Sequence, residues 1–170
     1  MRRGVATKVW IKPQQPGFIQ SFKGILKTMS AYNESGNPDL AIYFGDFLTT
    51  IACWTMPAMA DSVQIARQQV SDFLGTEGGV DLDHAIAVTS ELVANSIVHA
   101  TTELQVILER WQYMIKVVVE DQNDQPPVMR SLDVAVDSGR GMHIVEEYSD
   151  LWGYELTDSG KRIWAGFQCS

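Results

Sequence analysis

Glu91, Asn95 and His99 recur every four positions and therefore share one face of any helix that carries them. A carboxylate and a carboxamide one turn apart can act together on a hydrated magnesium ion. The amide supplies a hard oxygen, while the carboxylate orients or deprotonates a nucleophile. The same spacing also describes a polar, solvated helix face, and these three residues alone do not decide between the two. Further on, Asp121 closes the run VVVED, at the end of an apolar stretch, where side chains often face a ligand cleft. Its carboxylate can accept a hydrogen bond from an exocyclic amine such as that of adenine, or it can initiate a turn. In SGRGMHIVEEYSD, Gly139 and Gly141 precede a helical pattern, where backbone N–H groups can approach phosphate oxygens at the positive end of the helix dipole, although a lone GxG also describes a routine loop. His84 and His143 fit packing or a solvated surface. With no CxxC or HxH spacing around Cys53, Cys169 or the histidines, a dedicated transition-metal site is not expected.

These residues need elements to position them. Asp61-Ser62 offers an N-cap for a helix to about Leu74, with Val63, Ala66, Val70, Phe73 and Leu74 as its apolar stripe, and GTEGG as its stop. Asp81 caps a second helix, residues 82–100, which carries Glu91, Asn95 and His99. Residues 104–110 and 114–120 are β-rich runs that a short turn pairs as a hairpin, and residues 151–156 and 162–168 are two closing strands around TDSGK. Between them, residues 141–148 form a short helix after the glycine-rich turn. Helices first and hairpins later predict an α+β chain, with helices covering one face of a largely antiparallel sheet. Trp152 and Trp164 fall on the closing strands and are expected in the core. Toward the N-terminus, Pro13 and Pro16 punctuate a loose arm. Phe18, Phe22, Ile25, Leu26 and Met29 mark an amphipathic helix over residues 17–30, and residues 31–40 form a connecting loop.

Composition narrows the class. The 170 residues carry 13 basic and 21 acidic side chains, a formal net charge of −8, which is the wrong sign for direct nucleic-acid or anionic-membrane binding. Two cysteines cannot build a disulfide framework, and a reducing cytoplasm is the expected setting. The basic N-terminus is followed by neither an apolar core nor a small-residue cleavage site, so no secretory signal is read there. Residues 40–60 carry one charge, Asp46. A membrane span would place that aspartate in lipid at a cost of roughly 2.5–3.5 kcal/mol, whereas the alternation Phe47, Thr49, Ile51, Cys53 fits a buried strand ending near Thr55.

Together and in this order, ELVANSIVHA (91–100), VEDQNDQPP (119–127), SGRGMHIVEEYSDLWG (138–153) and GKRIWAGF (160–167) resemble the ordered motifs of the histidine-kinase-like ATPases. Within that superfamily the likeness is greatest to bacterial anti-sigma-factor serine kinases and related small ATP-binding regulators. MPAMADSVQIARQQVSDFL (56–74) is similar to the opening of the same domain. The resemblance implies a Bergerat-type two-layer α/β sandwich, with helices on one face of a mostly antiparallel mixed sheet, spanning residues 39–170 and best matched over 56–167. Residues 1–38 are then an N-terminal arm. It implies ATP and Mg2+ as cofactors: Asn95 to hold magnesium, Glu91 as general base, Asp121 on the adenine amine, Gly139 and Gly141 shaping the phosphate-facing turn, and Arg140 touching phosphate. The implied activity is that of an ATP-dependent protein serine/threonine kinase, with a sigma factor or an anti-sigma-factor antagonist as partner. A homodimer is left open.

The chain departs from that pattern after Asp121, where Gln122, Asn123 and Asp124 stand in place of the glycines common in strong nucleotide sites. Only eighteen positions separate Asp121 from Gly139, which leaves little chain for an ATP lid. The alternative reading is a catalytically silent module of the same fold that regulates a partner by contact alone.

Overall fold

The computed structural model describes residues 7–11, 50–99, 103–111, 114–128 and 140–169. Six strands, β1 (Thr7–Ile11), β2 (Thr50–Pro57), β3 (Glu103–Trp111), β4 (Met114–Asp121), β5 (Leu151–Thr157) and β6 (Gly160–Gln168), form one sheet in the order β1-β5-β6-β4-β3-β2. Three helices, α1 (Asp61–Glu77), α2 (Leu82–His99) and α3 (Gly141–Tyr148), cover one face. This is the α+β two-layer sandwich expected. Every pairing among the described strands is antiparallel, so the sheet is more uniform than the mixed one anticipated.

The hairpin β3–β4 supplies the centre. β4 (MIKVVVED) is buried at seven of its eight positions: one face lies under the helices, and the other carries Met114 and Val118 of a second cluster with Lys116. Its residues Ile115, Val117 and Val119 join Leu104, Val106, Leu108, Ile163, Ala165 and Phe167 in the main core. The helices complete it with Ala66, Val70 and Leu74 of α1 and Ala85, Val88, Leu92 and Val93 of α2. Met114, Val118, Leu151 and Trp164 form a second cluster from the alternate strand positions. Trp152 and Trp164 are both buried, as read from their strands.

Four local details differ from the sequence reading. Residues 7–11, expected in the loose arm, form β1 and pair with β5; TKVWI is rich in the β-branched and aromatic types that favour strands. β2 runs on to Pro57, which an edge strand tolerates because no inner neighbour needs its missing N–H. Ser62 does not cap α1: its hydroxyl donates to the Pro57 carbonyl at 2.6 Å, tying the helix start back to β2. The helix passes through Gly75 and ends at Gly78, whose φ of +67° suits glycine and whose N–H donates to the Leu74 carbonyl at 2.9 Å. Asp81 does cap α2, with Oδ1 accepting the His84 N–H at 3.0 Å.

The expected helix over residues 17–30, the loop over 31–40, the first part of the 40–60 stretch and the segment before Arg140 lie outside the described residues. Among the described residues no helix is long and apolar enough to cross a membrane.

Candidate functional site

α2 lies at the middle of the helical layer, packed against α1 and α3 on its sides and against β4 and β6 beneath. It therefore packs on the strand that ends in Asp121 and on the strand that carries Lys161. His84 helps to fix this arrangement: its ring stacks on Tyr148 of α3, with centroids 4.5 Å apart and planes at 12°. Its side chain is also 47% exposed, beside Asp81, so both parts of the expectation, packing and a solvated surface, apply to it.

Glu91 is half-buried, and burial pushes its carboxyl above the ordinary carboxylate value. Its Oε2 lies against Gly141, the first residue of α3; a Cβ built on Gly141 would stand 2.5 Å from it. The glycine read as a phosphate-facing turn residue thus has a further geometric consequence, making room for the carboxylate at the positive end of α3. Arg140 precedes α3 in an αR conformation, is exposed, and makes no side-chain cap; its carbonyl accepts the N–H groups of His143 and Ile144 at 3.0 and 3.2 Å. Its guanidinium faces solvent, where an anion can reach it. Gly139 lies outside the described residues, as does the His99 side chain.

One turn beyond Glu91, Asn95 Oδ1 is buried without a hydrogen-bond partner. A buried carbonyl oxygen left unpaired is costly. A hard divalent cation or its water would satisfy it, so the residue fits the magnesium role that the resemblance implies.

Asp121 ends β4 with its side chain fully buried. Its Oδ1 accepts two bonds, from Lys161 Nζ at 2.9 Å and from the Asn123 N–H at 2.9 Å. The second is an Asx turn, so the turn-initiating alternative is realised together with the buried placement. Oδ2 is buried and unpartnered. A buried acceptor left unpaired is costly, and a donor such as a base amine would satisfy it. Gly160 keeps this corner closed: its φ is +153°, and a Cβ there would run into the Asp121 carbonyl oxygen and approach Gln122 Cα to 2.6 Å.

Lys161 is the residue the sequence reading passed over. It pairs directly across from Asp121 in the β4–β6 register and is 1% exposed. The signal was present. Positions 161, 163, 165 and 167 of β6 point toward the helices, and Ile163, Ala165 and Phe167 are core residues. A lysine on that face needs a buried anion.

No protein-family model matches the chain, and no curated protein matches it. Solved structures do match. One is the crystal structure of the RsbU and RsbW domains of Rv1364c from Mycobacterium tuberculosis, at 16% sequence identity and a TM-score of 0.51, with 72% of this chain and 34% of that chain covered. The present chain thus spans about a third of that chain's length. At this identity the likeness carries the architecture alone: the described helices and sheet form a two-layer α/β sandwich similar to part of that RsbU–RsbW structure.

Proposed function

We propose that the chain is an ATP-binding regulator of the anti-sigma-factor serine-kinase type, acting in the cytoplasm on a sigma factor, an antagonist protein or both. The observation that carries this reading is the unpartnered Asn95 Oδ1 one helical turn from the half-buried Glu91 carboxylate. In this reading Asn95 holds magnesium, which neutralises phosphate charge when bound. Asp121 Oδ2 accepts the adenine amine, and the exposed Arg140 meets phosphate. Glu91 takes the proton of a partner's serine hydroxyl as its oxygen attacks the γ-phosphorus. The bond to the β-phosphate oxygen breaks and ADP leaves. The fold likeness to a structure containing an RsbW domain supports the same reading.

The test is titration calorimetry with MgATP and MgGTP. ATP is expected to bind and GTP to bind more weakly, because guanine presents a carbonyl where adenine presents its amine. No heat with either nucleotide at millimolar concentration would end the nucleotide reading.

One observation favours a second reading, the silent contact-only module. The Lys161 ammonium already compensates the buried Asp121 charge without any ligand. Tight MgATP binding with no phosphate transfer to any cognate antagonist would favour control by contact alone.

A further inference from the structure

A carboxylate that reads a nucleobase has two oxygens and can serve one donor or two. Adenine presents a single exocyclic amine beside a ring nitrogen acceptor. Guanine presents two adjacent donors, N1–H and the 2-amino group, which a free carboxylate can take on both oxygens at once. Which of these a buried aspartate accepts depends on what already occupies its oxygens. In this chain Oδ1 of Asp121 is filled by Lys161 Nζ and the Asn123 N–H, each at 2.9 Å, so both its lone pairs are in use. Oδ2 is buried and has none. Lys161 is held there by the sheet itself: it is the cross-strand partner of Asp121, buried on the core face of β6, beside a turn whose Gly160 admits no Cβ.

We propose that Lys161 is a specificity-determining positioning residue, which by saturating one oxygen of Asp121 leaves a one-donor acceptor that suits adenine and gains nothing from the 2-amino group of guanine. The proposal rests on the nucleotide-binding reading above. Lys161 acts through Asp121 and need not touch the base. Its ammonium also keeps the buried carboxylate compensated when no nucleotide is bound.

The experiment compares ATP, GTP and inosine triphosphate on the full chain, each with magnesium, by competition against a fluorescent ATP analogue. Inosine and guanosine nucleotides share N1–H and the 6-carbonyl and differ only in the 2-amino group. On the parent chain they are expected to bind within about twofold of each other, both weaker than ATP. A tenfold preference for GTP over inosine triphosphate would show that Oδ1 is open and would overturn the proposal. In Lys161→Met, one lone pair of Oδ1 is released, and GTP is expected to gain on inosine triphosphate by about tenfold, the worth of one charge-assisted hydrogen bond. Lys161→Arg, which keeps a donor on Oδ1, should hold the parental ratio. An equal loss for all three nucleotides in Lys161→Met would assign the lysine a structural role only and overturn the proposal. Where melting curves show that Lys161→Met does not fold, the comparison on the parent chain decides alone. Failure of the parent to bind any of the three, or to displace the analogue, would sink the nucleotide reading itself, a result distinct from a wrong ratio.

Discussion

The carboxylate of Glu91 and the first residue of α3, Gly141, are in contact across the helical layer, so closely that a methyl group on residue 141 would sit 2.5 Å from Glu91 Oε2. A glycine and a carboxylate separated by fifty positions thus form one feature. The carboxylate is placed by what the glycine lacks.

That contact makes Gly141→Ala informative. The atom displaced is the far end of a flexible side chain, so the fold can yield, and alanine suits a helix start better than glycine by up to about 1 kcal/mol. The melting temperature is expected to stay within a few degrees of the parent. The Glu91-dependent step should fall by at least about tenfold, because small misplacement of a reacting group is costly. Unfolding curves and phosphate-transfer rates on the same preparations check both halves. An unchanged transfer rate would mean that Glu91 tolerates displacement.

Glu91→Gln should leave ATP affinity within a few fold and reduce phosphate transfer to the cognate antagonist by roughly 10²–10⁴-fold, the usual worth of a positioned general base. Asn95→Ala should weaken magnesium-dependent nucleotide binding and transfer together. Burial raises the Glu91 carboxyl, and a base works only when ionised. The acid limb of the parent's rate profile should therefore lie above the ordinary carboxylate value of 4.5, with the rate lost as pH falls through it. Equal transfer rates for Glu91→Gln and the parent would remove Glu91 from catalysis.

Gly160→Ala presents the opposite case to Gly141→Ala. Its Cβ would meet backbone, the Asp121 carbonyl and Gln122 Cα, at a φ of +153° that side chains rarely adopt. Nothing there can swing aside, so a loss of about 2–4 kcal/mol is expected. Denaturant unfolding measures it. A loss below about 0.5 kcal/mol would mean that the β5–β6 turn rearranges freely.

Lys116 gives a stability signature at alkaline pH. It is buried on the sheet position opposite to the core-facing residues of β4, with its ammonium 4.3 Å from the Trp164 ring centroid. Burial lowers it to about 8, against partial support from Glu109 and Glu155 and further lowering by Arg162. The folded chain releases this proton near pH 8, while the unfolded chain holds it toward the ordinary value of 10.5. Between those values the unfolded state binds more protons, so stability rises with pH. Relative to Lys116→Met, the parent should gain on the order of 1–2 kcal/mol from pH 7.5 to 9.5. Parallel unfolding curves of the two proteins at both pH values provide the check, and a gap that stays constant would place the proton elsewhere.

What the sequence settled by itself was local. The β-rich runs on either side of residues 112–113, the 3.6-residue stripe of α1 and the Asp81 cap of α2 each answer to periodicity and to side chains within a few positions, and they stand where they were read. The four-residue spacing of Glu91 and Asn95 likewise needs only helical geometry to share a face. Tertiary structure decided the rest, because each remaining feature joins residues far apart in the chain. The pairing of TKVWI with β5 depends on a free edge beside Leu151–Thr157, about 140 positions away. The space beside Gly141 is taken by the carboxylate of a glutamate on another helix. The alternation along β6 sets Lys161 on the core-facing side, but only the β4–β6 register supplies Asp121 as its partner; a charge on a core-facing strand position is stable only with a buried counter-charge, and only folding brings that partner within 2.9 Å.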